Sequence, residues 1–122
     1  MRPMLLWVVL LIPPSAASAR GLVYEGTWVT TNRPLDGTLR CVVTDLGGNK
    51  WRGHFSGTWE GQAFSYDVDF SGPPERLRGR AVIDGADYEW TGEMGRGSPG
   101  WFRGKFTGNR YEGSFRLRQK GK

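Results

Sequence analysis

Eight times the chain repeats a large apolar residue, any residue, Gly, any residue and a second apolar residue. The copies are Tyr24-Glu25-Gly26-Thr27-Trp28, Leu35-Asp36-Gly37-Thr38-Leu39, Trp51-Arg52-Gly53-His54-Phe55, Phe55-Ser56-Gly57-Thr58-Trp59, Leu77-Arg78-Gly79-Arg80-Ala81, Trp90-Thr91-Gly92-Glu93-Met94, Phe102-Arg103-Gly104-Lys105-Phe106 and Tyr111-Glu112-Gly113-Ser114-Phe115. Their glycines lie 11, 16, 4, 22, 13, 12 and 9 residues apart, so no solenoid of constant period is implied. Within each copy the period is two, which is strand geometry: residues i, i+2 and i+4 share one face. A glycine between two bulky residues weakens that face unless it makes room for a neighbour's ring or lets the strand coil sharply. Eight such positions predict a strongly curved sheet whose concave face is crowded with rings.

The alternation extends into eight strands. Their inward sets are Leu22, Tyr24 and Trp28; Leu39, Cys41 and Val43; Trp51, Phe55 and Trp59; Phe64, Tyr66, Val68 and Phe70; Leu77, Ala81 and Ile83; Ala86, Tyr88, Trp90 and Met94; Phe102 and Phe106; and Tyr111, Phe115 and Leu117. The opposite face is polar, with Lys50, Arg52, His54, Ser56 and Thr58 on the third strand and Ser65, Asp67 and Asp69 on the fourth. Turn chemistry sets the register. Asp84-Gly85 is a preferred hairpin dipeptide that places Arg80 opposite Glu89, Arg76 opposite Glu93 and Gly79 against Trp90. Glu60-Gly61 pairs Phe55 with Tyr66, Trp51 with Phe70 and Gly57 with Phe64. A turn at Gly108-Asn109 would pair Phe106 with Tyr111 and Phe102 with Phe115, and Leu46-Gly47-Gly48 fits the odd-length loop between strands two and three. Longer connections fall at Thr31–Pro34, Ser71–Glu75 and Gly95–Gly100. The reading is all-β: an antiparallel eight-stranded up-and-down meander, closed or nearly closed into a small barrel, with an open rolled sheet or small sandwich as the alternative.

The start of the chain has a different logic. Arg2, the apolar run Met4–Ile12, Pro13-Pro14 and the small residues ending Ala17-Ser18-Ala19 follow the order of a secretory signal peptide. The expectation is a signal over 1–19, a single β domain over 20–122, and a secreted or periplasmic location. All 19 glycines fall in that domain, well above the usual share of about 7%. The net charge of +5 is a mild excess that affects solubility and attraction to polyanions, not a nucleic-acid signature. Outward charges argue against a transmembrane barrel, whose apolar band faces lipid. One Cys and one His exclude disulfide frameworks and Cys/His zinc sites.

Candidate chemistry is sparse. Cys41 points inward and His54 outward, so the two cannot form a nucleophile-base pair. Asp67 and Asp69 share a face and could act as acid and base on a glycoside or contribute to a Ca²⁺ site; solvated charges, paired with arginines of strand five, are the plainer reading. Arg76, Arg78 and Arg80 form a basic row, and Arg110, Arg116, Arg118, Lys120 and Lys122 a basic end, suited to an anionic cell-surface polymer. Trp28, Trp51, Trp59 and Trp90 take inward parity and read as core, whereas Trp101 takes outward parity and is the best candidate for a surface contact. The expected activity is non-enzymatic: an exported binding or interaction module without cofactor or catalytic residue, its partner an anionic polymer or another protein. A small-ligand carrier using the barrel interior is the alternative, and a hydrolase using Asp67 or Asp69 a more distant one.

Tyr-Glu-Gly-Thr-Trp, Tyr-Glu-Gly-Ser-Phe and Phe-Arg-Gly-Lys-Phe resemble the core of membrane occupation and recognition nexus (MORN) repeats. Gly26-Thr27-Trp28 is similar to the opening strand of avidins and, as Gly-x-Trp, of lipocalins; both are eight-stranded barrels holding ligands at the mouth, and no ligand residue of theirs carries over. An export signal followed by the Cys-containing second strand, Ser71-Gly72-Pro73-Pro74 and Ile83-Asp84-Gly85-Ala86-Asp87-Tyr88-x-Trp90-x-Gly92 resembles a family of small secreted bacterial proteins with a barrel-like fold, the likeness covering nearly the whole of 20–122. That resemblance implies no activity.

Overall fold

The structure, a computed structural model, describes residues 21–95 and 100–120; the expected signal peptide lies outside them. Eight strands follow one another: β1 (Leu22–Thr30), β2 (Asp36–Gly47), β3 (Lys50–Trp59), β4 (Gln62–Ser71), β5 (Leu77–Ile83), β6 (Ala86–Gly95), β7 (Trp101–Gly108) and β8 (Tyr111–Gln119). Each pairs antiparallel with the next, and β1 pairs with β8 to close the barrel. The open-sheet and sandwich alternatives are thereby excluded.

Parity holds on every strand. Tyr24, Trp28, Leu39, Cys41, Val43, Phe55, Val68, Phe70, Leu77, Trp90, Phe102, Phe115 and Leu117 form the buried core, all from the predicted inward sets. Leu22 shares their parity but stands half exposed at the end of β1. The eight motif glycines all face inward. A Cβ on Gly26, Gly37, Gly57, Gly104 or Gly113 would run into a carbonyl of an adjacent strand, and one on Gly79 would run into the Phe70 ring. Glycine thus permits both the tight coiling of the sheet and the seating of rings. β4 has no motif glycine; its four inward residues supply bulk instead, Phe64 covering Gly57 and Phe70 lying against Gly53 and Gly79.

Two hairpins match the turn chemistry. Positive φ at Glu60 and Gly61, and at Asp84 and Gly85, is what a type I′ turn requires, and the predicted pairs Phe55–Tyr66, Gly79–Trp90 and Arg80–Glu89 follow. Two others differ. The β7–β8 turn is Asn109-Arg110, both at positive φ, one residue later than the Gly108-Asn109 expectation. The register moves by two, so Phe106 faces Gly113 and Phe102 faces Leu117. An even shift preserves parity, and it sets Phe106 over Gly113 and Phe115 over Gly104 where the predicted register opposed ring to ring. Gly108 stays in the strand because the Tyr88 ring occupies the space of its missing side chain. Between β2 and β3 the expected three-residue loop is replaced by a Gly48-Asn49 turn with a bulge between Asp45 and Gly47, which absorbs the odd residue.

The seams are unequal. β3 and β4 pair along their whole length, Lys50–Ser71 to Trp59–Gln62. β4 and β5 pair only through Asp69–Arg80, Phe70–Gly79 and Ser71–Arg78. Continuing that register would bring Ile83, the last residue of β5, opposite Tyr66, leaving Gln62–Ser65 with no β5 residue to face. At the other end the β4–β5 loop is held by its surroundings, with Gly72 N–H donating to Asn49 O of the β2–β3 turn, Arg76 N–H to Pro73 O within the loop and Met94 N–H of β6 to Pro74 O.

Candidate mouth cavity

The hairpins β3–β4, β5–β6 and β7–β8 gather at one end of the barrel. Beneath them opens a cavity of about 540 Å³ lined by ten aromatic residues: Trp28, Phe55, Trp59, Phe64, Tyr66, Tyr88, Trp90, Phe106, Tyr111 and Phe115. Leu39 and Ile83 add aliphatic surface, and Gln62, Ser65, Asp84 and Asn109 bring polar groups to the rim. Such a volume and lining fall in the usual range for a small-molecule site, about 300–1,000 Å³ with a few polar groups.

Period-two strands put the rings there. Phe55, Trp90 and Phe115 are buried at the floor, and Phe55 touches both, with ring centroids 6.3 Å from Trp90 and 5.8 Å from Phe115. One side of the mouth is capped. Trp28 and Trp59 stack at 5.0 Å and 12°, Trp28 Nε1–H donates to Thr58 O at 3.0 Å, Tyr111 meets Trp59 edge-on, and the Arg33 guanidinium lies 4.7 Å from the Tyr111 ring centroid. Toward β4, β5 and β6 the wall is formed by Phe64 and Tyr66, stacked at 5.6 Å and 16°, with Ile83 and with Tyr88 6.0 Å from Trp90. Burial pushes the Tyr66 and Tyr88 phenols above the ordinary tyrosine range, so both remain proton donors at neutral pH.

The inward positions of these rings follow from parity, but their role as a cavity wall instead of packed core was not read from the sequence. A signal existed: Trp59, Phe64, Ile83, Tyr88, Phe106 and Tyr111 all lie within three residues of a hairpin turn, where a barrel's interior meets solvent.

The residues singled out for surface chemistry lie elsewhere. His54 and Asp67 are outward and exposed, Nδ1 to Oδ1 2.7 Å apart, and Arg52 Nε–H donates to Asp69 Oδ1 at 3.0 Å. The partners of both carboxylates therefore come from β3 and not from strand five, although Asp69 does stand opposite Arg80 in the ladder. Cys41 is wholly buried on the other side of the sheet from His54, and burial raises its thiol pKa. Among the described residues no three His, Cys, Asp or Glu side chains gather as a metal site.

Arg78 and Arg80 project from β5, whereas Arg76 precedes that strand, and the expected Arg76–Glu93 pair is absent from the ladder, which begins at Leu77–Gly92. Glu93 accepts instead from Arg103 Nε–H at 2.9 Å. Arg76 and Arg78 share a shallow outer concavity with Arg103, Lys105 and Arg116. Trp101 is half-buried on the outer face, its indole laid across Gly95 and 4.6 Å from the Arg103 guanidinium.

No protein-family profile matches the chain, and no curated protein matches it. Among solved structures the chain is similar to a de novo designed, fluorescence-activating beta barrel, with a TM-score of 0.62 and 16% identity over 89% of this chain and 100% of that one. At that identity the likeness concerns the fold: an eight-stranded antiparallel barrel.

Proposed function

We propose that the protein is an exported, non-enzymatic binding module that holds one small, flat, largely apolar ligand in the mouth cavity. The carrier reading, an alternative at the level of sequence, becomes the leading one because of one observation: beneath its hairpins the closed barrel opens into an interior concavity walled by ten aromatic residues. Rings at fixed positions favour a planar ligand through offset stacking and edge contacts, each worth about 0.5–1.5 kcal/mol beyond area burial. The similar designed barrel is described as fluorescence-activating, a property of that protein, and it makes an environment-sensitive dye a sensible probe here. Titration with 1-anilinonaphthalene-8-sulfonate, with near-UV circular dichroism confirming native packing, should give saturable one-site emission and quench the indoles. Ile83→Trp, which fills the mouth, should weaken binding at least tenfold. Undiminished dye binding by that variant would remove the ligand from the cavity.

A second reading rests on the outer concavity, where Arg76, Arg78, Arg103, Lys105 and Arg116 outnumber Glu75 and Glu93. It suits an anionic cell-surface polymer, with Trp101 against Arg103 and Arg80 two residues along β5 from Arg78. Charge reversal at Arg78 and Arg116 should abolish salt-sensitive retention on a heparin column while sparing the dye.

A further inference from the structure

We infer that the mouth cavity is reached through its side, at the split seam between β4 and β5, and that a bound ligand presents a hydrogen-bonding edge to that seam. The inference rests on the cavity reading above and adds the route and the ligand's chemical class. Three observations converge. The seam is laddered only at its far end, through Asp69–Ser71 and Arg78–Arg80. The cavity is lined by every residue from Gln62 to Tyr66, including Ala63 and Ser65, whose parity points outward, so the hollow reaches past the inner face to the strand's edge. The rim running from β8 across β1 to β3 is covered by the Trp28–Trp59 stack with Tyr111 and Arg33 beside it.

A free strand edge carries alternate N–H and C=O groups that need partners. Water supplies them in the empty protein. A ligand that seats its rings in the cavity displaces water along this edge, and a purely hydrocarbon one would leave those groups unpaired, which is unfavourable for every buried donor or acceptor so orphaned. The favoured class is therefore an aromatic body with carbonyl, amide or hydroxyl groups along one side. Gln62 and Ser65 lie on the same edge and can add side-chain partners.

A cystine across the seam provides the test. Asp67 and Val82 both face outward, would stand opposite each other if the β4–β5 register continued, and have no ladder partner across the seam. In full-length D67C/V82C the oxidised form should take up 1-anilinonaphthalene-8-sulfonate at least tenfold more slowly in stopped flow, and dithiothreitol should restore the rate. An association rate indifferent to the staple overturns the portal. Hydrogen exchange on the unmodified protein supplies a second measurement, decisive where the cystine does not form. Dye should protect amides within Gln62–Val68 and Ala81–Ile83, and unchanged exchange there defeats the inference. No saturable dye signal from the unstapled protein would instead sink the cavity reading itself, so the two failures are distinguishable.

Discussion

The two halves of the barrel are built from the same alphabet of rings and inward glycines, yet the hairpin half opens into a ring-walled cavity of about 540 Å³ while the terminal half is packed behind a smaller concavity of about 400 Å³ bordered by Leu22, Tyr24, Val43, Trp51 and Met94. Toward the chain termini Cys41, Val68, Phe70, Leu77, Phe102 and Leu117 interlock, with Phe102 contacting Phe55, Phe70 and Phe115. Toward the hairpins Phe64, Tyr66, Tyr88 and Phe106 border the cavity, Phe64 and Tyr66 stacked on each other at 5.6 Å along its wall. A ring inside a small barrel is thus core or wall depending on whether a partner arrives from across the axis. The packed half holds the fold, and the hairpin half is where the proposed ligand would sit.

The sharpest way to break this comparison is truncation. Phe102→Ala, at a side chain 1% exposed, should cost about 3–5 kcal/mol of unfolding free energy in urea, whereas Phe64→Ala should cost under ~1.5 kcal/mol because it enlarges space already open. Equal losses would mean the mouth is as tightly packed as the core. Gly104→Ala should cost about 1–3 kcal/mol, since the added methyl meets the Thr91 carbonyl and the Phe115 ring.

Alkali should act on both halves. Burial raises the Cys41 and Tyr66 pKa values above their ordinary 9.0 and 10.0, so the unfolded chain loses these protons first and stability falls as pH rises past those values. For Cys41 the slope approaches about 1.4 kcal/mol per pH unit, and Cys41→Ala should remove the part that begins near pH 9, read by denaturation at pH 8, 9 and 10. Tyr66→Phe should flatten only the decline above pH 10. The smallest effect belongs to the outer face. His54→Ala removes an exposed pair with Asp67 and should change stability by less than ~1 kcal/mol.

Most of the architecture was legible because period two admits one arithmetic: a residue is inside or outside, and an even register error leaves it there. That is why the Asn109-Arg110 turn displaced Phe106 from Tyr111 to Gly113 without turning any ring to solvent. Register itself was less legible, since Gly108 had two competing uses, as a turn residue and as a cushion for Tyr88, and only three-dimensional crowding decides between them. The cavity was not legible at all. Parity reports the side of a sheet and not the depth, so Trp59 and Phe55 look alike in sequence while one borders the mouth and the other forms the buried floor. The split seam was hidden similarly: β5 ends at Ile83 while β4 continues past it, and Ala81–Ile83 have no ladder partner on β4 although both strands run there.

Cys41 is the chain's single thiol and is fully enclosed between the filled half and the cavity floor. A reagent that alkylates thiols can meet it only when strands part, so its labelling rate is a built-in stopwatch for excursions of the barrel. Read with and without a guest molecule, the same stopwatch would tell how strongly occupancy of the mouth steadies the wall behind it.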